Sequence, residues 1–282
     1  MKICISAEST VDLTKDLLNK YEIKTLPFGV MLKDDLYMDG EISTNQIIEF
    51  VNQNKVLPKT SAINAYQYEE HFKKLKEEYD AIIHFSLSSE LSCACRNAQE
   101  VANTMENVYI IDSRTLSTGI ALLCISAKNM VDKGLDAEEI VEKINNRIKN
   151  VQASFILERL DYLFKGGRCN SLQFMGANLL KLRPQIIVTN GKMVSGKKFR
   201  GKIDDCVKKY CEDVVETFNN PDKEVAFVTY TTATKEMIEN AKEVLRNAGF
   251  KNIYETVAGG TITSHCGEHC LGILYINDGG EF

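Results

Sequence analysis

Hydroxyl side chains are concentrated in four short polar segments of the sequence. The segments are Ser9-Thr10, Thr60-Ser61, Ser88-Ser89 with Ser92, and Ser113. A hydroxyl-rich turn before a helix directs side-chain donors, free backbone N–H groups and the positive helix end at one point. Such a turn can hold a carboxylate or a phosphate without a lysine or an arginine. Each turn alone is explained at least as well by a serine that caps the helix after it.

The Ser88-Ser89 turn has the clearest strand–turn–helix pattern. The apolar run Ala81–Phe85 predicts a buried strand, and apolar residues between 91 and 105 recur at helical spacing. This stretch therefore predicts the most complete anion site.

Two further clusters carry groups that bind anions or metals. Gly166-Gly167 allows close backbone approach and Arg168 can bind an anion through two nitrogens, although a helix stop and a solvated arginine explain the segment equally well. Between His265 and Cys270, two histidines and two cysteines are typical zinc ligands. Their spacing is poor for zinc, because no second ligand pair follows at the usual distance.

Strands alternate with helices from residue 1 to about 150, which predicts a mainly parallel sheet with helices on both faces. A small β-hairpin excursion is expected near residues 26–42, and Ser43 with Gln46 forms a capping-box pattern for the helix after it. A long apolar helix is expected from about Ser117 to Val131. Ligands of such sheets bind beyond the carboxyl ends of the strands. We therefore expect the turns at Ser9, Thr60, Ser88 and Ser113 to lie along one edge.

The second part, residues 151–282, predicts an α+β domain with a mixed or antiparallel sheet. Asn190-Gly191 is typical of a type I′ hairpin turn. Amphipathic helices are expected at about 204–218 and 234–248, and an apolar helix at 171–182. We expect a ligand to lie between this domain and the domain of residues 1–150.

The composition is that of a globular protein, with 282 residues, 44% hydrophobic and 26% charged. The net charge of −5 argues against nucleic acid as a partner. No apolar run approaches the length of a membrane span, and the first ten residues lack the apolar core of a signal peptide. These features predict a cytoplasmic protein, whose nine cysteines are expected to be reduced.

An ordered set of motifs over nearly the whole chain resembles the DegV family of bacterial fatty-acid-binding proteins. The motifs are Ala7-Glu8-Ser9-Thr10-Val11-Asp12-Leu13, Pro58-Lys59-Thr60-Ser61, Ser88-Ser89-Glu90-Leu91-Ser92, Asp112-Ser113 with Ser117 and Gly119, Leu163-Phe164-Lys165-Gly166-Gly167-Arg168, residues 197–200, and His265-Cys266-Gly267. The resemblance implies two α/β domains that bury a long-chain fatty acid, with no other cofactor.

The resemblance also implies a set of ligand-binding residues. Position by position, the carboxylate is held by Thr60, Ser61, Ser88 and Ser89, with Arg168 and His265 near the head group. Family members of the fatty acid kinase system present the bound carboxylate to a separate ATP-binding kinase subunit. A kinase partner and a transient membrane contact are therefore expectations here.

The chain differs from the usual family pattern at several positions. Glu8 replaces an aspartate, Ala62-Ile63 replaces Gln-Pro, Glu90 and Cys93 replace glycines, and Glu268-His269 replaces Pro-Gly. A carboxylate beside the head-group site is expected to repel an anionic ligand.

The sequence thus predicts a non-catalytic fatty-acid carrier. Two other functions stay open. One is an acyl-transfer enzyme that uses Cys93 or Ser88 with His265. The other is a regulatory protein that binds a metal through the segment from His265 to Cys270.

Overall fold

The computed structural model describes residues 1–169 and 182–280. The strands are β1 (Ile3–Glu8), β2 (Lys24–Leu26), β3 (Gly29–Leu32), β4 (Asp35–Met38), β5 (Lys59–Ser61), β6 (Ala81–Ser86), β7 (Val108–Asp112), β8 (Val151–Ile156), β9 (Leu182–Thr189), β10 (Lys192–Arg200), β11 (Val225–Tyr230), β12 (Asn252–Val257) and β13 (Leu271–Ile276). The helices are α1 (Lys15–Lys20), α2 (Thr44–Asn54), α3 (Ala65–Lys76), α4 (Ala94–Ala102), α5 (Thr118–Asp132), α6 (Ala137–Arg147), α7 (Asp161–Gly166), α8 (Ile203–Thr217), α9 (Lys235–Asn247) and α10 (Gly260–Cys266). The helix expected at 171–182 lies outside the described residues, apart from Leu182, which begins β9.

The first sheet is parallel and has the strand order β2-β1-β6-β7. Because the strands are parallel, the segments that follow Glu8, Ser86 and Asp112 meet at one edge. This arrangement confirms the α/β class expected for the first part of the chain. It also brings the Ser9, Ser88 and Ser113 turns to the same edge.

The hairpin excursion is part of a second, antiparallel sheet with the order β4-β3-β5. Its hairpin turns at Lys33, which has a left-handed φ of 55°. Thr60 lies in β5 and pairs with Val30, so this small sheet, and not the parallel one, positions Thr60. Ser43 and Gln46 form the expected capping box, which begins α2 behind this sheet.

The second part of the chain contains a mixed sheet with the order β10-β9-β8-β13-β11-β12, in which only β11 and β12 pair in parallel. The hairpin between β9 and β10 turns at Asn190 and Gly191, which have φ values of 50° and 80°. Two positive φ values in succession are those of a type I′ turn. The mixed sheet expected for the second part is therefore confirmed.

The position of helix α5 between two sheets explains why its sequence is apolar on nearly every face. It packs against β1 and β6 of the parallel sheet and against β8, β11 and β13 of the mixed sheet. A helix covered on both sides has no solvent face that requires polar residues. One hydrophobic cluster therefore runs from Ile5 through Leu123 to Phe227 and includes residues from both parts of the chain. The domain boundary near residue 150 stays a prediction. No helix in the described ranges is long and apolar enough to span a bilayer.

Candidate functional site

Helix α10 is a seven-residue element whose first turn is held by carboxylates from distant parts of the chain. Asp39 accepts hydrogen bonds from the backbone N–H groups of Gly260 at 2.6 Å and Thr261 at 3.1 Å. Asp12 accepts one from the N–H of Gly259 at 2.8 Å. The first N–H groups of a helix have no partner within it and carry partial positive charge, so the acceptor oxygens of Asp39 and Asp12 stabilise this end.

Glycine is required where the chain approaches these two carboxylates. A Cβ atom on Gly259 would lie 2.9 Å from Oδ1 of Asp39 and 3.1 Å from Oδ1 of Asp12. Burial raises the pKa of Asp12 to about 8, against the opposing effect of hydrogen bonds from Ser117 Oγ and the Gly259 N–H. The proximity of Asp39 raises it further.

His265 occupies the last turn of α10 and meets Thr60 of the small sheet. The distance between Thr60 Oγ1 and His265 Nε2 is 2.9 Å. Burial, assisted by the charge of Arg168, lowers the pKa of His265 to about 4, so the ring is neutral near pH 7. Gly166 lies against the other side of the ring, since a Cβ atom there would be 2.6 Å from His265 Nδ1.

A small pocket opens beside the Thr60–His265 pair. Its volume is about 50 Å³, and we call it the head-group pocket. Its polar wall consists of Thr60, Ser92, Arg168, Thr261 and His265. Its apolar wall consists of Phe28, Ala62, Leu87, Leu91, Leu116, Met193, Ile262 and Cys266.

A second cavity of about 30 Å³ adjoins the head-group pocket, and we call it the inner slot. The two cavities share Leu116, Ile262 and Cys266 as walls. The inner slot lies among residues of the mixed sheet, including Phe155 and Leu274. A polar end and an apolar continuation are what an amphiphilic ligand requires.

A wide groove of about 760 Å³ meets the head-group pocket on its outer side. The two share Leu91, Ser92, Arg168 and Met193. Arg96, Arg168 and Lys192 line the groove together with Glu90 and Cys93. The basic side chains favour an anion here.

The remaining hydroxyl candidates lie around the pocket, and their present partners are protein atoms. Ser88 is fully buried and its hydroxyl donates to the carbonyl of Gly191 at 2.7 Å. The Ser89 hydroxyl donates to Asp112 Oδ2 at 2.6 Å. Ser61 is exposed at the end of β5. The structure thus brings Thr60, Arg168 and His265 together in the pocket, with Ser61, Ser88 and Ser89 at its periphery.

A family model described as "Uncharacterised protein, DegV family" matches residues 2–278. The chain belongs to the DegV family. A Thermotoga maritima relative named "Fatty acid-binding protein" is 30% identical over 278 residues, which cover 93% of this chain and 96% of that protein.

Solved structures of DegV proteins have the same fold. A DegV protein from Thermus thermophilus, described by its fatty acid binding, has a TM-score of 0.89 and 23% identity, covering 99% of this chain and 100% of its own. A Thermotoga maritima protein described as having a fatty acid binding function has a TM-score of 0.83 and 27% identity. The match covers 98% of this chain and 99% of that protein.

Two of the carboxylates that depart from the DegV pattern have their own partners. Glu8 is fully buried and accepts hydrogen bonds from the Tyr68 hydroxyl and the Leu87 N–H, each at 2.5 Å. Glu90 forms ion pairs with Arg114 at 3.4 Å and Lys192 at 3.3 Å. Glu8 therefore supports the backbone behind the pocket, and the charge of Glu90 is balanced by two cations.

The third carboxylate that departs from the DegV pattern, Glu268, lies outside the pocket, and so does its neighbour His269. Glu268 forms an ion pair with Arg159 at 3.3 Å, and His269 Nδ1 contacts Glu158. His265 is instead bonded to Thr60, so the two histidines of the predicted metal cluster have separate partners. Within residues 1–169 and 182–280, no group of three or more histidine, cysteine or acidic side chains is arranged to hold a metal.

The residues expected for an acyl-transfer enzyme lie in different surroundings. Cys93 is exposed and lines the groove, whereas His265 lines the head-group pocket. Ser88 is buried and bonded to Gly191.

Sequence patterns did not indicate Asp39 or Thr261. Asp39 follows β4 and forms an isolated bridge with Ile42, and Thr261 lies in a helix too short for periodicity. The only available signal was Gly259-Gly260, which marks a turn or a close approach.

Proposed function

We propose that this chain binds a long-chain fatty acid, with the carboxylate in the head-group pocket and the tail in the inner slot. The observation that carries the proposal is that a polar cavity at Thr60 and His265 adjoins a mainly apolar one across the shared walls Leu116, Ile262 and Cys266. The relatives described as fatty-acid-binding proteins support it.

The carboxylate requires donors, because an ionised carboxylate only accepts hydrogen bonds. If His265 donates from Nε2 to Thr60 Oγ1, the Thr60 hydroxyl is free to donate into the pocket. Arg168 supplies a charged donor from the groove side. Ser88 and Ser89 join this set only when their hydroxyls leave Gly191 and Asp112.

The tail supplies most of the binding energy. At ~0.8 kcal/mol per buried methylene, a chain of about 16 carbons has enough apolar surface for tight binding. The two cavities, of about 50 and 30 Å³, hold only a few methylene groups. We therefore expect the shared walls Leu116, Ile262 and Cys266 to move apart when the tail enters.

The finer role that we propose is that of a carrier without catalysis of its own. The carboxylate would face the groove and be presented there to an ATP-binding fatty acid kinase subunit. Two features support this role: the groove borders the head-group pocket, and its side chains Arg96 and Arg168 suit a phosphate group, whereas Lys192 is paired with Glu90. A carboxylate held partly by neutral hydroxyls also stays nucleophilic.

Denaturing extraction of freshly purified protein, followed by mass spectrometry, tests the binding proposal. We expect close to one equivalent of a C14 to C18 fatty acid. A second measurement compares the binding of a fluorescent fatty acid to wild type and to the matched variant Thr60→Val. This change keeps the side-chain volume and removes the hydroxyl. Absence of bound lipid together with no measurable fatty-acid affinity would overturn the proposal.

A separate assay tests the carrier role. A purified kinase subunit, labelled ATP and the lipid-loaded protein are expected to yield labelled acyl phosphate only when all three are present. Label transfer that needs no kinase subunit would contradict a non-catalytic carrier.

A further inference from the structure

A hydroxyl group without a partner faces the head-group pocket. Thr261 is only 3% exposed and lines the pocket, yet its Oγ1 has no hydrogen-bond partner among the described residues. A buried hydroxyl left without a partner costs roughly as much as a lost hydrogen bond, so such groups are rare unless a ligand or a water satisfies them.

The position of Thr261 relative to His265 limits what this partner can be. The two residues are four apart in α10, which places them on one helix face with Cβ atoms about 5–6 Å apart. His265 marks the carboxylate end, through its contact with Thr60. Thr261 lines the same pocket one helical turn away, so a ligand whose carboxylate lies at His265 also reaches Thr261 within the head-group pocket.

The backbone of Thr261 is fixed at this place. Its N–H donates to Asp39 Oδ2 at 3.1 Å, and the preceding N–H of Gly260 donates to Oδ1 of the same carboxylate. The side chain thus projects from an anchored first helical turn, and the unmatched hydroxyl belongs to an ordered wall of the pocket.

We propose that the preferred ligand is a fatty acid that carries a hydroxyl group on carbon 2 or 3, hydrogen-bonded to Thr261. This inference rests on the proposed fatty-acid site and narrows its ligand class. A hydroxyl at either carbon lies two or three bonds from the carboxyl carbon, which suits the separation of one helical turn between Thr261 and His265. A plain acyl chain would leave the Thr261 hydroxyl buried and unsatisfied.

The test compares palmitate, 2-hydroxypalmitate and 3-hydroxypalmitate by competition against a fluorescent fatty acid. We expect wild type to bind one of the hydroxy acids about tenfold more tightly than palmitate, the value of one buried hydrogen bond. Thr261→Val keeps the side-chain shape and is expected to reduce this preference to within twofold, and the ratio of the affinities for the hydroxy acid and palmitate is the readout.

Thr115→Val is the matched control. Thr115 is also buried and its hydroxyl also lacks a partner, but it does not line the head-group pocket. This variant should keep the wild-type preference for the hydroxy acid.

Three results would overturn the inference. Wild type that binds all three acids equally has no site for a ligand hydroxyl. Equal weakening of all three acids by Thr261→Val would mean that Thr261 contacts the carboxylate. Failure of wild type to bind any of the three acids would overturn the fatty-acid proposal as well. The first two results would overturn only the inference about the ligand hydroxyl.

Discussion

Replacement of Asp39 by asparagine tests whether distant carboxylates hold the helix that carries His265. Asp39 accepts three hydrogen bonds, from the N–H groups of Gly260 and Thr261 and from the Ser9 hydroxyl at 3.1 Å. Asparagine keeps one acceptor oxygen and turns its NH₂ group toward the remaining donors. A seven-residue helix is not stable alone, so it depends on this contact.

The expected loss follows from these contacts. One charge-assisted hydrogen bond contributes about 1.5–3 kcal/mol, and the charge at the helix N-terminus adds up to about 1 kcal/mol. We therefore expect Asp39→Asn to lower the free energy of unfolding by about 3 kcal/mol. For a chain of this size that corresponds to a Tm lower by roughly 6–10 °C.

Differential scanning calorimetry and urea unfolding measure this loss, with Asp35→Asn as the control. Asp35 is exposed in the same hairpin, so its replacement removes the same charge without touching α10. We also expect several-fold weaker fatty-acid binding by Asp39→Asn, because α10 carries His265. If the two variants unfold within about 1 °C of each other, the carboxylates do not hold the helix.

Three further predictions concern the pocket and the groove. Thr60→Val is expected to weaken binding of a fluorescent fatty acid about tenfold with little change in Tm, whereas unchanged affinity would remove Thr60 from the head-group site. The pKa of His265 is about 4, below its ordinary 6.5. Between pH 6.5 and pH 4 the unfolded chain therefore binds more protons at His265 than the folded chain does. The free energy of unfolding falls as the pH decreases through this range. Urea unfolding at about pH 7 and about pH 4.5 should therefore show roughly 2 kcal/mol more loss for wild type than for His265→Gln, and equal losses would contradict the low pKa. Cys93 is the exposed thiol and the other eight cysteines are buried, so iodoacetamide should modify Cys93 first in the native protein. Peptide mapping that finds rapid labelling of Cys266 or Cys270 would contradict the burial of these two thiols in the wall of the inner slot.

Local signals in the sequence predicted much of the fold. The Ser43–Gln46 capping box and the Asn190-Gly191 turn depend on neighbouring residues only, and the structure contains both. The parallel sheet follows from the alternation of strands and helices. The long apolar helix expected from about Ser117 to Val131 is α5, but its pattern did not indicate that it would lie between two sheets.

The site was harder to predict, because its key contacts join distant residues. Asp12 and Gly259 are 247 positions apart, and Asp39 lies 221 positions from Gly260. No periodicity marks a helix that two distant carboxylates stabilise. A serine pattern likewise identifies donors but not their acceptors, and Ser88 donates to the β9–β10 hairpin in this structure.

Helix α10 connects the two ends of the proposed ligand. His265 and Thr261 line the polar part of the head-group pocket, while Ile262 and Cys266 separate that pocket from the inner slot. Because all four residues belong to one short helix, a shift of α10 that widens the slot also moves the head-group donors. Tail length and head-group chemistry are therefore coupled, since both act on the helix that Asp39 and Asp12 anchor. We accordingly expect Asp39→Asn to weaken the binding of long and short fatty acids by different factors.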